Sequence, residues 1–104
     1  MAISQTAFTG TGTSAAYGAA NYVSAGAFNA SLSGTWVGTV SLERGLPNTD
    51  GTLVWLPVTV DTAGATATYT VPVSFSVAEP EGAAQYRWNC TAYTSGTILA
   101  RFGP

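Results

Sequence analysis

Hydrophobic and polar residues alternate with a period of two from residue 27 onward, which is the pattern of half-buried β-strands. In the first segment Phe28, Ala30 and Leu32 alternate with Asn and Ser residues, and the following Gly34 and Thr35 predict a turn. A second strand then begins near Trp36, whose side chain shares one face with Val40 and Leu42. We expect this apolar face to lie in the core.

A cluster of turn-forming residues, 45–51, separates this strand from the most apolar stretch of the chain, 53–60. The cluster predicts a hairpin loop longer than the tight two-residue type. Pro57 removes one ladder donor from the apolar stretch, so the stretch is expected at an edge or a bulge. Because it is apolar on both faces in so small a domain, one face is expected to meet another subunit or a larger partner.

The second half of the chain continues the alternation. Val73, Phe75 and Val77 form one predicted inward row, and Tyr86, Trp88 and Cys90 form another. Residues 94–96 predict a last hairpin before the final strand, 97–102. About seven strands with turn signals every 8 to 12 residues predict an all-β, antiparallel β-sandwich, for which an immunoglobulin-like topology is preferred and a jelly roll is the alternative.

Residues 1–26 lack this pattern and contain the low-complexity run TGTGTSAA. We expect them to form an extended N-terminal arm attached to a β-sandwich domain of residues 27–104, and the alternative is a mobile tail with one early strand. The bulky residues of the arm are too widely spaced for a core of their own, so each is predicted to dock on a partner. The candidate contacts are Ile3, Phe8, Tyr17 and Tyr22.

Charge is scarce, since Lys and Arg total 3, Asp and Glu total 5, and only 8% of the 104 residues are charged. Nucleic-acid binding is not expected, because phosphate contacts require clustered cations. A membrane-spanning segment is not expected either, because no apolar run approaches the length of about 20 residues that a bilayer requires. The first 25 residues contain no Lys or Arg and therefore do not resemble a signal peptide.

The side chains used in most catalysis are also scarce, because the chain has no His and one Cys. Cys90 alternates inward and is expected to be a buried, inert thiol. Glu79 and Glu81 flank a proline, so a solvated turn is favoured over a catalytic pair, and Glu43 is expected at an exposed strand end or in a cross-strand salt bridge. No enzyme, metal or cofactor is predicted.

Three further residues are candidate partner contacts. Trp36 and Trp88 fall on predicted core faces, whereas Trp55 lies in the strand that is apolar on both faces and could contact a partner or stack on a sugar. Leu46 and Asn48 lie in the 45–51 loop, where loop residues are available for recognition.

Four segments carry a resemblance to a known group of proteins: 34–44 (GTWVGTVSLER), 55–58 (WLPV), 79–81 (EPE) and 86–97 (YRWNCTAYTSGT). They resemble small β-sandwich structural proteins of tailed bacteriophages and prophages over roughly residues 27–102. In that group the loop between the second and third strands resembles a short Asp-Gly-Gly hairpin, whereas the 45–51 loop here is longer, which implies that partner contacts differ at this loop.

The resemblance implies a component of the virion, made in the host cytoplasm, and no enzyme. The leading hypothesis is a capsid decoration protein that contacts the major capsid protein or another virion protein as a symmetric homo-oligomer, with a trimer as the first expectation. A surface with few charges agrees with this, because burying unpaired charge is what makes dense packing costly. The alternative is a module of a phage fibre or tail that binds a host glycan or receptor.

Overall fold

The computed structural model describes residues 3–17, 26–59, 63–79 and 84–103, without the side chains of residues 26 and 79. These ranges contain strands and turns, and the strands pair in one antiparallel sheet, which confirms the all-β, antiparallel prediction. No helix in these ranges has the length and hydropathy needed to cross a membrane. The seven strands are β1 (Ser4–Phe8), β2 (Gly12–Thr13), β3 (Gly26–Pro47), β4 (Leu53–Pro57), β5 (Thr68–Tyr69), β6 (Val73–Glu79) and β7 (Gln85–Gly103).

Two long strands, β3 of 22 residues and β7 of 19, form the centre of the sheet and pair with each other from Asn29↔Gly103 to Gly45↔Gln85. The main order is β1-β7-β3-β4, while β2 pairs with β7, and β5 and β6 pair with β3. The assignment to an immunoglobulin-like sandwich or a jelly roll stays a prediction.

The central strands fold back on themselves. Trp88 and Phe102 lie 14 positions apart in β7, a distance of about 46 Å along a straight strand, yet their rings stack with centroids 5.6 Å apart. The longest dimension of the molecule is only 39 Å. Two halves of the same sheet therefore face each other and enclose the core.

Two glycines, one in each central strand, allow β3 and β7 to bend. Gly34 (φ 103°) and Gly96 (φ 95°) lie close together on β3 and β7, in conformations that favour glycine. A Cβ at Gly34 would overlap the carbonyl oxygen of Thr97, and one at Gly96 would overlap that of Thr35. Register shifts between Val37 and Gly38, and between Thr39 and Val40, lie beside them.

The turns predicted at residues 34–35 and 94–96 are therefore wrong, because both glycine signals redirect a strand without ending it. The ladder continues through Gly34↔Ile98 and Trp36↔Gly96. Glycine supplies the same backbone freedom to a hairpin and to a bent strand, and sequence pattern does not separate the two.

The core lies between the facing halves and confirms the predicted alternation. Phe28, Leu42 and Trp88 are almost fully buried. The rings of Phe28 and Tyr86 meet with centroids 4.9 Å apart, which links β3 to β7 across the core. The predicted inward row of β6 is half-buried and packs against this core.

The described part of the predicted N-terminal arm belongs to this fold. β1 pairs with the last part of β7, from Ser4↔Phe102 to Phe8↔Ile98. Phe8 and Tyr17 are 5% and 3% exposed and lie in the core. The prediction that these two side chains dock on a partner is corrected, because they fill the space between the halves of the chain's own sheet.

The 45–51 loop is shorter than predicted. β3 continues to Pro47, because residues 45–47 pair with β4, and the turn spans only residues 48–52. The Asn48 backbone N–H donates to the Thr52 carbonyl at 2.7 Å and closes this turn. β4 lies at the end of the main strand order, so the edge position predicted from Pro57 is confirmed.

Candidate interaction surface

β4 presents an apolar edge. It pairs with β3 on one side, and no described residue forms a strand on its other side. Val54 is 40% exposed and Leu56 is 59% exposed. We call the outer side of Leu53–Pro57, with these two side chains, the β4 edge.

The other sheet edges differ from the β4 edge. β1 (SQTAF) exposes Gln5 and Ala7, and β6 (VSFSVAE) turns Ser74 and Ser76 outward. Among the described edge strands, β4 is the one that contains large exposed aliphatic side chains, Val54 and Leu56, since Ile3, Val37 and Val71 lie outside the edge strands. Proteins usually protect edge strands with charge, proline or bulges, and the only such device in the sequence LVWLP is Pro57 at its end.

A groove of about 440 Å³ adjoins the β4 edge and separates β4 from β6. Its walls are mainly aliphatic and aromatic, and Arg44 is the charged side chain among the described residues that line it. The residues that define the groove are Arg44, Leu46, Leu56, Val58, Val77 and Tyr86. Leu46 and Val58 also pack against the core, so the groove has a fixed floor.

The opposite face of the same strands carries a polar cluster. Glu43 and Arg87 are directly paired on β3 and β7, and Arg87 Nε donates to Glu43 Oε1 at 2.7 Å. Asn89 Nδ2 donates to Glu43 Oε2 at 3.0 Å. Glu43 is only 8% exposed, so both of its carboxylate oxygens receive the partners that a buried charge requires. The cross-strand salt bridge considered for Glu43 is confirmed.

Trp55 extends this cluster from β4. The Arg87 guanidinium carbon lies 4.3 Å from the centroid of the Trp55 ring, a cation–π contact. A Cβ at Gly45 would lie 3.0 Å from atoms of the same ring, so the absence of a side chain at Gly45 makes room for the indole. Trp55 is half-buried and held in place by β3 and β7.

Titratable groups add little reactivity to this region. Burial raises the pKa of the Cys90 thiol, which disfavours the nucleophilic thiolate. Hydrogen bonds from Thr52 lower the pKa of Asp50, which keeps a negative charge in the 48–52 turn. The described residues contain no group of three metal-ligating side chains. The contacts this surface offers are apolar packing, strand pairing and hydrogen bonding.

The predicted contact residues fall into four groups: three lie around β4, one beside β1, two in the core, and one outside the described residues. Leu46 lies in the groove, Trp55 lies on the opposite face of β4, and Asn48 lies in the turn that joins β3 to β4. Ile3 is 60% exposed but belongs to the β1 end of the sheet. Phe8 and Tyr17 are in the core, and Tyr22 lies outside the described residues.

The sequence pattern does not identify Val54 and Leu56 individually, although it contains a signal for the strand to which they belong. The apolar character of both faces of 53–60 predicts one face directed at a partner. Periodicity does not show which of the two faces of β4 packs against the rest of the chain. In the structure the face of Trp55 does so, because Trp55 pairs with Gly45, and Val54 and Leu56 therefore lie on the other face.

Comparisons with known proteins show no family. No family model matches the chain, and no curated protein matches it. Among solved structures, the cupin domain of Drosophila melanogaster CENP-C is similar with a TM-score of 0.42 and 8% identity over 94% of this chain and 57% of that one. The enzymatically active domain of tailspike protein 4 of bacteriophage CBA120 is similar with a TM-score of 0.40 and 13% identity, over 98% of this chain and 19% of that one.

Proposed function

We propose that this chain is a structural component of a tailed-phage particle, a capsid decoration protein that binds the major capsid protein or another virion protein as a symmetric oligomer. The observation that carries the assembly role is the apolar β4 edge beside the groove, which no strand of the described residues covers. The phage context is supported by the sequence resemblance over residues 27–102.

Two features of the surface support an assembly role. The apolar patch is fixed on a strand, so binding would cost little ordering of the backbone. Only 8% of the chain is charged, so a partner can cover much of the surface without stripping water from unpaired charges. Both features are suited to a protein that is packed densely beside its neighbours.

The test is mass spectrometry of purified particles from the phage or prophage that encodes the chain, followed by cryo-electron microscopy of heads and tails. The expected result is the chain in the particle, with density for it repeated over the head lattice and the β4 edge covered. Absence of the chain from particles would reject the proposal, and density confined to the tail would reject the decoration role.

The polar cluster favours one second candidate, a glycan- or receptor-binding module. Trp55, Arg87 and Asn89 place an aromatic ring, a cation and an amide on one face of the sheet, and aromatic rings commonly stack on sugars. A glycan array with the wild-type chain and Trp55→Ala tests this role. Glycan binding by the wild type that is lost in Trp55→Ala would support it.

A further inference from the structure

We infer that the β4 edge pairs with the β4 edge of a second copy of this chain, antiparallel about a two-fold axis near Trp55. This inference deepens the oligomeric part of the proposed function by assigning the surface and the partner. The pairing would join two sheets into the continuous order β1-β7-β3-β4-β4-β3-β7-β1.

The first observation that supports this pairing is that the outer side of β4 has no neighbouring strand among the described residues. In an antiparallel sheet, alternate residues of an edge strand direct their N–H and C=O groups away from the sheet, ready to pair with another strand. The described residues place no strand beside β4 there, and the sequence LVWLP contains no charge to oppose one. Pro57, at the end of the strand, lacks an N–H, so it can offer an incoming strand only its carbonyl oxygen. An incoming strand would satisfy these groups by β-augmentation.

The second support is that β4 is complementary to itself. Antiparallel pairing centred on Trp55 sets Val54 of one copy opposite Leu56 of the other, and Leu56 opposite Val54. These side chains, 40% and 59% exposed in one chain, would cover each other. A two-fold axis makes the same contact twice, as an isologous interface requires.

The third support is the placement of charge. Arg44 lies opposite Leu56 near one end of β4, whereas Asp50 lies in the turn before the other end. Antiparallel pairing brings the Arg44 end of one copy to the Asp50 end of the other, so opposite charges approach twice. Parallel pairing would place like charges at the same end, which disfavours it.

The alternatives fit less well. The outward side chains within β1 and β6 are small or polar, so a head-to-tail contact of β4 with either would offer Val54 and Leu56 at most one large exposed aliphatic partner, Ile3 beside β1. A ring, including the trimer expected from the sequence, requires such a heterologous contact. The edge therefore favours a dimer.

The experiment is sedimentation velocity of the purified full chain from about 1 µM to about 1 mM, because a short interface is expected to be weak. The expected result is a shift from monomer to dimer mass with rising concentration. Hydrogen exchange of the β4 amides should slow over the same range, a measurement that needs no variant.

The test variant is Leu56→Lys, which places a charge on the edge, and the matched control is Val71→Lys, since Val71 is also 59% exposed but lies outside β4. Leu56→Lys is expected to weaken dimerisation at least about tenfold, and Val71→Lys to leave it unchanged. Circular dichroism checks that both variants fold.

A chain that stays monomeric to about 1 mM, forms a trimer, or dimerises equally well with Leu56→Lys would overturn the inference. These outcomes are separate from the particle test. A chain that dimerises through β4 but is absent from particles would reject the phage role alone, and a monomeric chain found in particles would reject the edge pairing alone.

Discussion

Replacing Gly96 with alanine should destabilise the protein strongly, because Gly96 lies where β7 bends. Its φ of 95° is unfavourable for a residue with a side chain, at a cost of about 1–2 kcal/mol. The new methyl group would also overlap the Thr35 carbonyl oxygen and lie 2.6 Å from Trp36 Cα. Both atoms belong to the backbone of β3 and have no rotamer by which to move away.

The steric part should cost about 1–3 kcal/mol more, as overpacking does in a core. The total of about 2–5 kcal/mol is a large share of the roughly 5–15 kcal/mol that stabilises an ordinary domain. At about 4–8 °C for each kcal/mol in a domain of this size, the melting temperature should fall by at least about 8 °C.

Gly64 provides a matched control. It has a similar φ of 92°, but a Cβ there would meet nothing within 4 Å. Gly64→Ala should therefore show only the conformational cost of about 1–2 kcal/mol. The difference between the stability losses of the two variants measures the steric cost that the close approach of β3 to β7 imposes at Gly96.

Urea unfolding, followed by tryptophan fluorescence, gives the free energy of unfolding of each variant. The dependence of this free energy on urea concentration should be the same for both variants if their unfolded states are alike. The reasoning would be refuted if Gly96→Ala lost no more stability than Gly64→Ala. The two strands would then have room to separate at the bend, and the fold would not depend on their contact there.

Three other predictions follow from the described contacts. Phe8→Ala should lower the free energy of unfolding in urea by about 3–5 kcal/mol, because Phe8 is only 5% exposed. Ile3→Ala, at a site that is 60% exposed, should change it by no more than about 0.5 kcal/mol. Equal effects of the two substitutions would contradict the placement of β1. A double-mutant cycle with Glu43→Gln and Arg87→Gln should give a coupling of about 1 kcal/mol or more, and zero coupling would show that the salt bridge does not stabilise the fold. Burial raises the pKa of the Cys90 thiol above its ordinary value of 9.0, so the thiol of the unfolded chain ionises at a lower pH than the folded one and the free energy of unfolding should fall as the pH rises through that value. Cys90→Ala should make the free energy of unfolding depend less on pH in this alkaline range, and an unchanged pH dependence would contradict the prediction.

The sequence predicts the faces of the strands well and their ends poorly. The alternation predicts that Phe28, Leu42 and Trp88 lie in the core, as they do, because the pleat of each strand fixes its inward and outward positions. The sequence pattern predicts turns at Gly34 and Gly96, because a local pattern carries no information on whether a neighbouring strand continues beside them.

The candidate surface was predicted only in part. Trp55 and Leu46 lie near the β4 edge and groove, but Phe8 and Tyr17 looked equally available in the sequence and are buried. A bulky side chain in a low-complexity run has no local partner to reveal its burial. Its environment depends on β7, which lies far away along the chain.

The residue pattern alone is enough to predict that the chain is all-β and antiparallel and which side chains of the two central strands face inward. These properties are local or compositional, so a short window of residues is enough to specify them. The folded arrangement is needed to see that β3 and β7 fold back on themselves, that β1 joins their sheet, and that β4 has an exposed apolar edge. These features depend on contacts between residues far apart in the sequence, where small differences in packing and close approach select one arrangement among several with the same strand pattern.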